Sequence, residues 1–271
     1  MKEKNFEAAF NVFSNRYSLS PALFRASYLR NFYVVAFRMN KADKAMQVRD
    51  DITELLRSHT ETNPDDIKRF AKGCLDKGKH FEAMLFYQIA AATFMDKPLP
   101  KDRAFGVRWC VLGMKNAAER LLKTEPSYKA LVQLCVTPLM REMVHKIQAM
   151  NDLDIKSRAV SEAWCLHYIG IVDGLVGNWT SFESEASEAV KLLRSAYLTD
   201  ASRLQVLGAC LNNLGYVCSV TNRKEEAIKY YRQAVDAKKR ACDYSSDKEK
   251  QKDIELSQNN LKKICPTPGS N

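Results

Sequence analysis

A large apolar residue with a small one beside it, an alanine further on, then a tyrosine or leucine and often a last alanine: this order recurs along the chain. The clearest copy runs Leu211, Leu214-Gly215, Cys218, Ala227, Tyr231, Ala234, and a second runs Phe70-Ala71, Cys74, Gly78, Ala83, Tyr87, Ala90. In both, the small residue precedes the alanine by 12 positions and the tyrosine by 16. The spacing predicts a helix, a short turn and a second helix, with large side chains entering gaps left by small ones. Glycine inside a helix costs about 1 kcal/mol in propensity, so Gly215 there implies close packing.

Aligning on the small residue predicts further copies. Phe105-Gly106 is followed by Trp109, Gly113, Ala118 and Leu122, then by Glu125-Pro126 where a helix should stop. Tyr231, Tyr87 and Leu122 are expected to fill the holes beside Gly215, Ala71 and Gly106. Ile169-Gly170 leads to a turn at Gly177-Asn178-Trp179 and then to Ala186, Ala189-Val190 and Leu193, but Phe182 stands where the alanine is wanted. Ile169 and Leu214 are 45 residues apart, an excess expected in longer helices or in a loop near Tyr197–Asp200. Toward the N-terminus, Leu29, Tyr33, Ala42 and Met46 keep the offsets with Arg30 in the small position. Toward the C-terminus, Ser257-Gln258-Asn259-Asn260-Leu261 echoes Cys210-Leu211-Asn212-Asn213-Leu214 after 47 residues. Between Phe105 and Ile169 there is room for one more helix pair, its members starting at Pro126-Ser127 and Thr137-Pro138.

Composition narrows the class without changing it. Only 10 glycines and 8 prolines in 271 residues, with little β-branched alternation, argue for nearly all helix. No run approaches 18 uncharged apolar residues, so no membrane span is expected, and the charged start Met1–Asn5 lacks an apolar signal core. The 8 cysteines are scattered without a CxxC pair, which points to a reducing compartment, cytoplasm or nucleus, with neither disulfides nor zinc. The net charge of +10 is spread as +4 over 1–60, +4 over 61–135, −2 over 136–220 and +4 over 221–271. A spread excess describes a solvated mixed-charge helical surface and permits an acidic partner or RNA.

These residues resemble the tetratricopeptide repeat (TPR) family, whose unit is a helix–turn–helix of roughly 34 residues. The resemblance implies an all-α fold: an α-solenoid of TPR-like pairs in a right-handed superhelix, with five to seven pairs and a C-terminal capping helix. Copies are placed at 64–97, 99–132 and 208–241, with a weaker one at 163–196 and a partial one near 22–55. The domain plan is N-terminal capping helices or a degenerate repeat over 1–60 and a solenoid over 61–265. Its last helix is 250–265, followed by a disordered tail over 266–271. The 45- and 47-residue periods resemble the longer repeats of kinesin-light-chain type.

The resemblance also implies that the first helix of each pair lines a groove. The positions that would face it are Asn212, Asn213 and Tyr216; Asn259, Asn260 and Lys263; His167 and Tyr168; and Lys68, Arg69 and Lys72. Asparagine carries a donor and an acceptor, so stacked asparagines suit a peptide backbone, although Asn213 has the alternative of bonding a neighbouring segment. Lys68, Arg69 and Lys72 share one helical face and suit acidic groups, or are neutralised by Asp65, Asp66 and Asp76. The carboxylate clamp of chaperone-binding TPRs is not expected, because Ile171 and Asn260 stand where an asparagine and a cation are needed.

Chemistry finds no foothold. The histidines at 59, 80, 145 and 167 have no metal-ligand spacing, and no GxGxxG, GxxxxGK[ST] or GxSxG occurs. Cys165 and His167 are two apart on a helix and face different ways. The aromatic runs Phe6/Phe10/Phe13 and Tyr28/Phe32/Tyr33 read as packing surface. The expectation is therefore a cofactor-free, non-enzymatic scaffold that binds a peptide or helical segment of another protein. A basic RNA-binding repeat protein is the main alternative and a self-associating assembly subunit the second. No membrane partner is expected.

Overall fold

The computed structural model describes residues 42–57, 63–195, 201–242 and 248–265, and among them the chain is all-α. Consecutive helices pack in pairs, the organisation of an α-solenoid of TPR-like repeats. The chain divides into two compact units, Met1–Leu139 and Met140–Asn271. The aromatic runs at Phe6–Phe13 and Tyr28–Tyr33, most of the partial copy at 22–55, the loop near Tyr197–Asp200 and the tail at 266–271 lie outside the described residues.

In the first unit, α1 spans Ala42–Arg57, α2 Pro64–Asp76, α3 His80–Phe94 and α4 Pro100–Thr124. The start of α2 follows from its sequence: the Asn63 side chain accepts from the Asp65 N–H at 3.1 Å, Pro64 needs no donor, and Asp65 and Asp66 suit the first turn. Its end is set by Gly78, whose φ of 73° is cheap only for glycine. Ile67, Ala71, Cys74 and Leu75 form its buried stripe. The next helix, α3, is buried nearly all round and packs against α1, α2 and α4. Helix α4 brings Gly106 against the Phe94 ring and Gly113 against the Tyr87 ring. Both pairs are seven residues apart, as two antiparallel helices in continuous contact require.

Two expectations fail here. The segment 99–132 is not a helix–turn–helix, since α4 runs unbroken for 25 residues. Gly113 is therefore no turn residue; it is the notch into which Tyr87 fits, and the side chain that fills the space beside Gly106 is Phe94 rather than Leu122. The residues around Gly113, Val111-Leu112 and Met114-Lys115-Asn116-Ala117, contain nothing else that stops a helix. Nor does the next stretch form two helices. A 3₁₀ turn at Pro126–Tyr128 leads through Lys129–Leu131 and a π segment, Val132–Val136, directly into α5, Thr137–Gln148. Pro138 cannot donate to an i−4 carbonyl and its ring crowds that carbonyl, so the helix widens just before it and continues. The Thr137 hydroxyl donates to the Val132 carbonyl at 3.4 Å across the widened turn.

The second unit begins at Met140, within α5. It contains α6, Ile155–Val176; α7, Trp179–Ser195; α8, Ala201–Val220; α9, Lys224–Cys242; and α10, Lys248–Ile264. Asp154 caps α6 by accepting from the Ser157 N–H at 2.9 Å, and Gly177, at φ 90°, turns it into α7. Asn222, at φ 63°, does the same between α8 and α9. Three notches fix the pairs. A Cβ on Gly170 or on Gly174 would lie 2.7 Å from the Phe182 ring, and one on Gly215 would lie 2.7 Å from the Tyr231 ring. Phe182, the departure from the alanine pattern, thus fills a doubled notch that Gly174 opens. The longer period resides in the helices, which run 17 to 22 residues in α6 to α10 against 13 in α2 and 15 in α3.

Candidate functional site

In the second unit the first helices of successive pairs, α6, α8 and α10, are neighbours. This row contains the predicted asparagines, and several of them join helix to helix. Asn213 is buried, and its amide nitrogen lies 2.9 Å from Nδ1 of His167 on α6. Asn212 Oδ1 accepts from Ser257 Oγ at 2.9 Å and from Asn260 Nδ2 at 3.3 Å, both on α10. Lys238 of α9, itself buried, donates to Ser257 Oγ at 2.9 Å and to Asp253 Oδ1 at 2.7 Å. Burial lowers its pKa against the raising influence of Asp253. Gly208 leaves room for the lysine stem, which a Cβ there would meet at 2.5 Å.

The exposed members of the row are Tyr216, Asn259 and Lys263. Tyr216 stands 6.1 Å from Trp179 and 6.4 Å from Phe182, ring centre to ring centre. Tyr168 stacks on Trp164 at 5.4 Å, with His167 set edgewise to the same indole at 5.6 Å. Trp164 was not singled out from sequence, although its spacing of three and four from His167 and Tyr168 puts all three on one helical face.

In the first unit, α2, α3 and α4 enclose a cleft of about 490 Å³. Lys68, Arg69 and Lys72 all line it. Lys68 pairs with Asp65 at 2.6 Å and lies 5.3 Å from the centre of the Phe94 ring. Arg69 pairs with Asp66 at 2.8 Å. Lys72 is exposed and forms no ion pair among the described residues. From α4 come Trp109, Leu112, Asn116 and Arg120, which sequence reading had not joined into a site. Their spacing of three or four is one face of a continuous helix, and the face is lost if a turn is placed at Gly113. Arg120 reaches back to donate to the Leu75 carbonyl at 3.2 Å, serving the C-terminal end of α2. Trp109, 43% exposed, and the exposed Phe105 meet edge to face at 5.9 Å. Tyr87 contributes to the wall from α3, and burial pushes its hydroxyl pKa up to about 12, so it stays protonated.

Among the described residues no group of three or more His, Cys, Asp or Glu side chains is placed to hold a metal ion. Nor is any described helix long and apolar enough to cross a membrane.

No protein-family model matches the chain. Over 232 residues it is 23% identical to the human cell division cycle protein 16 homolog, a TPR protein, covering 78% of this chain. The match takes in 34% of that relative, so the chain spans about a third of its length.

Proposed function

We propose that this chain is a TPR-type scaffold that holds a peptide or helical segment of another protein against the first helices of its repeats. The observation that carries the proposal is the cleft of the first unit. There α2 and α4 set Lys72, Arg120 and Trp109, none of them needed to close the core, around about 490 Å³ of space. A cleft of this volume lies within the range usual for binding sites. The helix pairing and the similarity to a TPR protein support the same function. The long helices of the second unit support a likeness to the kinesin-light-chain kind of repeat. Burial of most described cysteines as small apolar side chains suits a reducing compartment.

A photo-reactive residue at position 109 tests the proposal. A discrete protein adduct from position 109, and none from the exposed position 229 on α9, is expected. Adducts with RNA alone, or equal yields from both positions, would refute it. RNA binding is a second reading, favoured by the net charge of +10 and by Lys72 and Arg120. It predicts affinity that collapses between about 50 and 200 mM salt.

A further inference from the structure

The lining of the first unit's cleft sets four cations, Lys68, Arg69, Lys72 and Arg120, against Asp65 and Asp76, a net of +2. Two of the cations are answered inside α2, Lys68 by Asp65 and Arg69 by Asp66. Lys72 has no such partner among the described residues, and Arg120 commits one N–H to the Leu75 carbonyl while its side chain remains exposed. A guanidinium has five donors in a fixed fork, so most of its capacity for a carboxylate is still available. Beside these two charges stand Trp109, 43% exposed, and the partly buried Leu112, which together give the cleft an apolar wall. Charge and apolar area are thus offered together from α2 and α4.

We infer that the cleft takes an acidic peptide segment, its carboxylates on Lys72 and Arg120 and one large apolar side chain against Trp109 and Leu112. The inference rests on the scaffold function proposed above and names the class of partner for it. A polyphosphate backbone fits less well. It needs a continuous track of cations with aromatic platforms for successive bases, whereas Asp65 and Asp76 interrupt the lining and Trp109 is a single exposed ring within it.

The test is a random dodecapeptide display library panned on the full chain, with the best peptides remade in fluorescent form. Enriched peptides should carry clustered Asp or Glu beside a large apolar residue. Their affinity should fall about tenfold or more in Lys72→Glu and in Arg120→Gln, and hardly change in Lys229→Glu. Lys72 is exposed, so its charge reversal leaves the core intact. Enriched peptides without acidic residues, still lost with Trp109→Ala, would overturn the acidic-partner inference and leave the scaffold function standing. Acidic peptides indifferent to Lys72→Glu and Arg120→Gln would overturn it too. Failure to enrich any peptide would count against both proposals. A fluorescent RNA dodecamer bound more tightly than the best peptide at about 150 mM salt would replace both with nucleic-acid binding.

Discussion

Single glycines set how closely these helices approach. Gly170 and Gly215 each receive an aromatic ring from the following helix, and Gly113 receives one from the preceding helix. Gly215→Ala would put a methyl 2.7 Å from the buried Tyr231 ring. The substitution should destabilise the chain by about 1–3 kcal/mol in urea unfolding despite alanine's better helix propensity, and Tyr231→Leu should recover part of that loss. A different residue-scale effect belongs to Asp173. It is fully buried and pairs with Arg141, which also meets Glu185 at 2.7 Å. Burial raises its pKa to about 6 against the pull of Arg141. Below about pH 4 the carboxyl is protonated both folded and unfolded; as pH rises from there, the unfolded chain ionises first. Stability should therefore fall as pH goes from about 4 to about 6. Asp173→Asn should flatten that slope, leaving the smaller part due to Glu162, whose pKa burial also raises. Equilibrium unfolding across this pH range checks the sign, and stability rising with pH through the window in an Asp173-dependent way would contradict it.

At the scale of the element, α4 and α10 teach different lessons. The spacing of small and large residues made α2 with α3, α6 with α7 and α8 with α9 legible, because each pair has a glycine or asparagine with positive φ between its helices. It misled at α4, since a glycine at a close helix–helix contact reads in sequence like a glycine at a turn. That error also concealed the cleft: Lys68, Arg69 and Lys72 were visible as one face of a short helix. Trp109, Asn116 and Arg120 share a face only when α4 is unbroken. The asparagines of α8 and α10 were visible as polar positions at matching places in two repeats. The bonding of Asn212 to α10 runs through Ser257, which Lys238 also holds, an arrangement no local pattern reveals. Helix α10 is rich in charge, and its contribution to the apolar cluster around Tyr231 comes from the half-buried Leu261 and Ile264. Much of its attachment is thus polar. Lys238→Met removes the donor to Ser257 and Asp253 and should cost about 1–3 kcal/mol. Hydrogen exchange should speed up over 248–264 while 155–176 is unchanged; uniform acceleration would mean that α10 is not held separately.

For the whole molecule, two units are built on one rule of helix pairing and offer different surfaces. The first presents a basic cleft with an exposed tryptophan; the second presents tyrosines and amides on α6, α8 and α10, where Asn212, Asn213 and Asn260 are hydrogen-bonded between helices. On the proposed function, partner capture falls to the first unit. It also makes moderate ionic strength a discriminating variable. Two or three carboxylate contacts should weaken by a small factor between about 50 and 200 mM salt, while a run of phosphate contacts loses orders of magnitude. Hydrogen exchange of the full chain with and without its best acidic peptide tests the central claim most directly. Protection should appear over 64–76 and 100–124, and it should vanish in Lys72→Glu. Protection confined to α8 and α10, or none at all with the peptide bound, would contradict the account.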